Sequence, residues 1–259
     1  MRFADQVVVV TGAAGGIGSI IVSRFVEEGA HVVASDREFP VGSGASDRVT
    51  EIRADLAAPG AGQHIIDAAL ATHGRVDVVV ANAGRATDGD IDCVAEEALK
   101  EDVAINLSAN FGLFGAAVTA MRPRRSGVLV AISSVNAHED YGSPAYSAAK
   151  AGLEALIRSV AARHGIDGIR ANSVVLGTIA TPAWLARLER DPSMLERLRE
   201  IFPLRRVGTP ADVANLVAFL ASAEASWMTG SSVVLDGGMR IANPQFTTTV
   251  FNQCLPVSR

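Results

Sequence analysis

Tyr146 and Lys150 stand four residues apart in the run Tyr146-Ser147-Ala148-Ala149-Lys150, in a chain of 259 residues that holds two tyrosines and two lysines in all. On a helix, residues i and i+4 share a face with their Cβ atoms about 5–6 Å apart, and helical side chains lean toward the N-terminus. The Lys150 ammonium is therefore expected to reach back toward the Tyr146 phenol. A free tyrosine has a pKa of about 10, so a phenol that trades protons near neutrality needs roughly 4 kcal/mol of added stabilisation of its anion. A cation in a partly dry site supplies stabilisation of that kind. The same spacing also fits an exposed helix pair worth a few tenths of a kcal/mol and no chemistry. The surrounding elements decide between the two.

Short β-branched runs alternate with helix-period segments from end to end. Val7 to Thr11, His31 to Ser35, Val76 to Ala81, Gly127 to Ser133, Ile169 to Val175 and Ser231 to Leu235 read as strands, and near-continuous Val and Ile imply burial on both faces. Another strand is expected just before Arg53. Gly16 to Glu28, Ala61 to His73, Tyr146 to His164 and Pro210 to Ser222 read as helices, the last with Thr209-Pro210 as N-cap and first helical residue. Strand and helix repeated in this way predict an α/β fold with a mostly parallel, doubly wound sheet. We expect a single domain over residues 1–259. Residues 181–202, charged and helix-forming between the sixth and seventh strands, are expected as a substrate lid, and residues 240–259 as a C-terminal tail.

Composition narrows the function. Apolar residues make up 49%, charged residues 20%, and the net charge is −5, with no long basic cluster, which is poor equipment for a nucleic acid. Cys93 and Cys254 lack metal-site or disulfide spacing, so no metal site is expected and a cytoplasmic location fits. The start of the chain lacks the pattern of a signal peptide. Residues 103–121 carry no charge over a length that could cross a bilayer, but Asn106, Ser108, Asn110 and Thr119 would be costly in lipid. A helix buried in the protein, and no membrane partner, is the reading.

The first strand runs into Thr11-Gly12-Ala13-Ala14-Gly15-Gly16-Ile17-Gly18 and then a helix. Backbone N–H groups at such a helix start form an anion site that glycine lets a pyrophosphate approach. The second strand ends in Ser35-Asp36-Arg37, where an acid accepts hydrogen bonds from the adenosine ribose hydroxyls and repels a 2′-phosphate. Arg37 could instead clamp that phosphate, but without a second cation in the glycine turn NAD is favoured over NADP. Asp55, followed by Leu56, is placed to touch the adenine edge or to cap a helix.

Together these motifs resemble the short-chain dehydrogenase/reductase family, in its compact subtype of Rossmann-type fold with a seven-stranded sheet, over nearly the whole chain. The matching segments are Thr11 to Gly18, Ala81-Asn82-Ala83-Gly84, Asn106, Ile132-Ser133-Ser134, Tyr146 with Lys150, then Gly177, Ile179 and Thr181, and Leu235-Asp236-Gly237-Gly238. The resemblance implies a hydride-transfer site acting on a small alcohol or ketone. In it Ser134 holds the substrate oxygen, Tyr146 exchanges its proton, Lys150 binds the nicotinamide ribose and lowers the tyrosine pKa, and Asn106 holds a water linking Lys150 to solvent. Gly12, Ala14 to Gly18, Asp36, Arg37, Asp55, Leu56, Asn82 to Gly84, Tyr146, Lys150, Gly177, Ile179 and Thr181 would bind the cofactor. It also implies a homotetramer or homodimer pairing the Asn106 and Tyr146-to-His164 helices, with the tail, apolar at Phe246, Val250, Phe251 and Leu255, packed on a neighbouring subunit.

Two departures stand out. The family's usual serine-to-tyrosine separation selects Ser133, whereas local context selects Ser134. We take Ser134, because a one-residue deletion in the intervening loop is easily absorbed and adjacent strand residues face opposite ways. Leu176 stands where the family commonly has proline. His138, Glu139 and Asp140 lack ligand spacing and read as a solvated loop from which His138 or Tyr141 could touch substrate. His31, His64, His73 and His164 read as surface or capping residues, and Trp184, Leu185, Leu188 and Met194 as one apolar helix face in the lid. The rival readings are a dehydratase, epimerase or quinone reductase using the same site, or a non-catalytic dinucleotide sensor.

Overall fold

The structure, a computed structural model, describes residues 1–40, 46–191 and 193–241. Seven strands form one sheet: β1 Val7–Thr11, β2 His31–Asp36, β3 Val49–Arg53, β4 Val78–Ala81, β5 Gly127–Ser134, β6 Ile169–Leu176 and β7 Ser232–Leu235. Their order is β3-β2-β1-β4-β5-β6-β7, and every pairing is parallel. The chain winds outward from β1 to β3, then returns to the other side of β1. Such a reversal opens a crevice at the C-terminal ends of the two central strands, where α/β sheets take ligands. All residues of β1 and β4 are buried, as their unbroken valine runs require.

Helices cover both faces. On one lie α1 Gly18–Glu27 and α8 Pro210–Ala221, packed through Ile21, Phe25, Val213, Val217 and Leu220. Phe3 and Phe25 meet edge to face at 4.8 Å. On the other lie α2 Ala61–His73, α4 Ala109–Met121 and α5 Pro144–His164. α8 begins as its Thr209-Pro210 signal requires. Thr209 Oγ1 accepts from Asp212 N at 3.2 Å and Asp212 Oδ2 accepts from Thr209 N at 2.8 Å, so both orphan donors at the helix start are satisfied.

Before α4 runs α3 Glu96–Val103, joined to it by a π turn over Ala104–Ser108. The turn has an identifiable cause. Asn106 Nδ2 donates to the Asp102 carbonyl at 2.9 Å and Asn110 Nδ2 to the Asn106 carbonyl at 3.0 Å, so two side-chain amides compete for carbonyls of the helical ladder. By length and composition the stretch Glu96–Arg124 could cross a bilayer. In this fold it lies between α2 and α5.

Residues 181–202 fold as α6 Pro182–Arg190 and α7 Ser193–Ile201, anchored by the buried Phe202. Trp184 and Met194 are partly buried and Leu185 exposed, so the expected apolar face is only half covered, and the Leu188 side chain lies outside the described residues. Met239–Ile241 form a short turn in which Arg240 pairs with Glu139 at 2.8 Å. The expected packing of the tail falls on residues 242–259, outside the described residues.

Candidate active site

A groove of about 810 Å³ runs along the C-terminal ends of the strands, walled by the loop after β1, the ends of β2 and β4, and the start of α6. Asn82 ties its two central walls together: its side chain donates to the carbonyls of Thr11 and Gly12 at 3.1 and 3.0 Å, while the Thr11 hydroxyl accepts from Asn82 N and Ala83 N. Gly18 closes the loop from behind, because a Cβ there would stand 2.0 Å from the Gly12 carbonyl oxygen. Of the expected cofactor residues, Gly12, Ala14, Gly15, Gly16, Ile17, Asp36, Arg37, Asp55, Leu56, Asn82, Ala83, Gly84 and Thr181 line this groove.

Asp36 sits at one end, its Oδ2 accepting from Ala14 N at 3.0 Å and its Oδ1 from Arg37 N at 2.7 Å. Arg37 is exposed beside it. Asp55 accepts from Ala57 N at 3.0 Å and so shapes the turn before α2. Thr181 Oγ1 accepts from Trp184 N at 3.3 Å, capping α6 at the groove wall. Ile179 and Gly177 do not line this groove. The Ile179 side chain is buried in the core beside α8, which leaves only its backbone for a ligand. Gly177 is packed against Asp236.

At the other end Gly84, Asn106 and Lys150 converge. A Cβ on Gly84 would stand 2.6 Å from Asn106 Oδ1 and 3.4 Å from Lys150 Nζ, so the absence of a side chain keeps open the space these polar atoms face. Asn106 Nδ2 is used by the carbonyls of Arg85 and Asp102, whereas its Oδ1 is buried without a partner. A buried acceptor left bare is costly, and here it borders the groove. These residues fit a nicotinamide dinucleotide: a glycine cradle, a carboxylate at the adenosine end and a buried ammonium at the other.

The two candidate serines part company. Strand alternation sends Ser133 under α5, where Oγ donates to Glu154 Oε1 at 2.6 Å. Ser134, at the end of β5, donates to Asn136 Oδ1 at 3.1 Å and lies close enough to the Tyr146 phenol to favour its anion. Ser134, Tyr146 and Lys150 are thereby brought to one place.

The electrostatics differ from the expectation that Lys150 lowers the tyrosine. Lys150 Nζ donates to the Ile132 carbonyl at 2.7 Å and lies 5.5 Å from the centre of the Tyr146 ring. Burial, aided by the Asp102 carboxylate, pushes the phenol above its ordinary value, and the Ser134 hydroxyl only partly opposes this. Burial also pushes the Lys150 ammonium down to about 8, against the pull of Glu154. Desolvation penalises the charged form of both groups, and an ammonium engaged by a strand carbonyl has less to give the ring.

Four side chains at the site carried no chemical reading in the sequence. Asn136 bridges Ser134 to the Gly142 carbonyl, the latter at 2.9 Å. Asp102 is fully buried, accepting from Thr87 N at 3.0 Å and pairing with Arg85 at 3.3 Å. Asn110 reinforces the π turn. Glu154 continues the stripe Tyr146, Lys150, Glu154 at helical spacing, the one signal that could have found it. His138, expected on a solvated loop, turns inward to Glu154 at 3.1 Å. Another cavity, of about 720 Å³, lies at the opposite ends of the strands. Its cations are already engaged, Arg75 by Asp77 and Arg170 by the carbonyls of Leu220 and Met228.

Comparison with known proteins agrees with this geometry. A family model described as enoyl-(acyl carrier protein) reductase matches residues 12–240. An uncharacterised oxidoreductase of Schizosaccharomyces pombe is 37% identical over 254 residues, covering 98% of each chain. The 7α-hydroxysteroid dehydrogenase of Bacteroides fragilis is 31% identical over 94% of this chain and 97% of its own. The solved structure of a short-chain dehydrogenase/reductase from Burkholderia thailandensis superposes with a TM-score of 0.88 at 37% identity, over 96% of this chain and 98% of that one. With its parallel sheet, its glycine loop and its cluster of Ser134, Tyr146 and Lys150 reaching Gly84 of the groove, the chain belongs to the short-chain dehydrogenase/reductase family of oxidoreductases, which use nicotinamide dinucleotides.

Proposed function

We propose that this protein is an NAD-preferring oxidoreductase that interconverts a secondary alcohol and a ketone, with Tyr146 exchanging the substrate proton. The observation that carries the reading is the meeting of Ser134, Tyr146 and Lys150, with Lys150 facing Gly84 of the groove that also holds Asp36. A nicotinamide dinucleotide in that groove supplies a hydride acceptor or donor at its C4. The chain's residues manage the proton. In oxidation the alcohol O–H proton passes to the Tyr146 phenolate as hydride leaves the same carbon. In reduction the phenol gives its proton to the forming alkoxide, and Ser134 donates a hydrogen bond to that oxygen in either direction. A phenol held protonated by burial is ready for the reductive step. The oxidative step needs its anion, which the cationic oxidised ring and the Ser134 hydroxyl favour. Asn106 Oδ1, buried without a partner, supports a role in holding a water that connects Lys150 to solvent.

Asp36 supports the NAD preference, because a carboxylate at the end of the second strand repels a 2′-phosphate. The ratio of NAD to NADP efficiency tests this, and a clear NADP preference would show that Arg37 dominates. Initial rates of NADH formation on cyclic, sugar-derived, steroid-like and hydroxyacyl alcohols test the reaction. Turnover of substrate without net change in NADH would instead indicate an epimerase or dehydratase. The relative that acts on a hydroxysteroid makes alicyclic alcohols the first to try. A homo-oligomer pairing α4 and α5 across a two-fold axis is also part of the proposal, supported by Phe111, 69% exposed on α4. Sedimentation at micromolar concentration should show a dimer or tetramer, and monomer alone would contradict it.

A further inference from the structure

One helical turn beyond Lys150, α5 buries a second charged group. Glu154 is only 2% exposed, and three segments distant in sequence converge on it. Ser133 from β5 donates to Oε1 at 2.6 Å, Ser232 from β7 donates to Oε2 at 2.6 Å, and His138 Nε2 lies 3.2 and 3.1 Å from the two oxygens. Three donors around one carboxylate use most of the acceptor capacity of an ionised acid. Packing alone does not require it, since the neighbouring buried positions of this helix are Ala149, Leu153 and Ile157.

We propose that Glu154 acts through Lys150: a carboxylate locked by Ser133, Ser232 and His138 one helical turn away that keeps the buried ammonium charged. The inference rests on the reading of Lys150 as part of an oxidoreductase site. The charges that can act on Lys150 are few. Tyr146 and Glu154 share its helix, Asp102 comes from α3 and His138 from the loop after β5. α4, β5, β7 and the π turn carry no ionisable side chain, and Arg170 of β6 is held by carbonyls at the opposite end of the strand. Glu154 is the carboxylate whose attraction opposes the effect of burial on Lys150. It touches neither groove nor substrate position, so its effect passes through the lysine.

The chain has two lysines, Lys100 and Lys150, so protein labelled with ¹³C at lysine Cε gives two side-chain signals. The exposed Lys100 serves as internal reference. In Glu154→Gln the Lys150 midpoint should fall below its starting value of about 8 by about one pH unit or more, with Lys100 unmoved. The alkaline limb of kcat/KM, on which activity is lost as Lys150 gives up its proton, should move down with it. Ser232→Ala, on the edge strand, removes one donor and should shift the midpoint the same way by less, which keeps the proposal testable if the buried change blocks folding. An unmoved Lys150 midpoint in the folded variants would overturn the inference even if the oxidoreductase reading stands. A moved midpoint in a protein without hydride transfer would keep the pair and refute the reaction.

Discussion

The two faces of the sheet are built from the same valine-rich strands and differ in what they bury. The face under α1 and α8 is closed by Phe3, Ile21, Phe25, Val213 and Val217, and its buried Asn172 has partners on both amide atoms, donating to the Met228 carbonyl and accepting from Ser231 N. The face under α2, α4 and α5 buries Asp102, Asn106, Asn110, Ser133, Lys150, Glu154 and Ser173. All three buried polar atoms left without a partner among the described residues, Asn106 Oδ1, Asn110 Oδ1 and Ser173 Oγ, lie there. Dry polar groups lower stability unless they are satisfied, so a fold that collects them on one side of its sheet gains something other than stability. Both faces bury an apolar core, and the second also arranges charge beside the groove.

Several substitutions would break or sharpen that contrast. Phe25→Ala removes a fully buried ring from the apolar face and should lower unfolding stability by about 3–5 kcal/mol, with kcat little changed in the protein that remains folded. A large kcat loss would mean that the faces are not separable. Gly84→Ala acts at the polar face, where the added methyl group displaces Asn106 or Lys150. Turnover should fall by about 100-fold while denaturant midpoints move far less.

At the start of α8, Thr209→Ala should cost about 1 kcal/mol of stability and little activity. Asp212 of the same capping box is drawn down to about 2, chiefly by Arg206. Its folded value is depressed, so its contribution is complete above the unfolded value near pH 4 and is lost as pH falls through about 2. Acid unfolding curves of Asp212→Asn should therefore converge on the parent at low pH. The smallest effect belongs to Ser173→Ala, which deletes a buried hydroxyl without a partner and should leave stability unchanged or raise it by up to about 1 kcal/mol. A clear loss would reveal a partner for that hydroxyl.

The apolar face was the more legible in the sequence. Unbroken valine runs placed β1 and β4, and Thr209-Pro210 placed α8 to within a residue. The glycine loop and Asp36 were legible because their chemistry lies in short contiguous segments. The polar face was not, because its charges are buried by partners far apart in sequence. Glu154 on a helix reads as a solvated acid until Ser133, His138 and Ser232 arrive from other segments. Asp102 reads as one more charge in an acidic helix until Thr87 and Arg85 close over it. The π turn depends on two asparagine side chains taking helix carbonyls, which periodicity alone does not register. The i, i+4 spacing brought Tyr146 and Lys150 together but said nothing of desolvation, which sets the direction of both pKa shifts.

Tyr146→Phe deletes one hydroxyl and keeps the ring. With NADH binding and turnover measured on the same preparation, NADH should bind as in the parent while turnover of a secondary alcohol falls by about 10²–10⁴-fold, the range that one positioned acid–base group supplies. Turnover that survives the change would contradict the account.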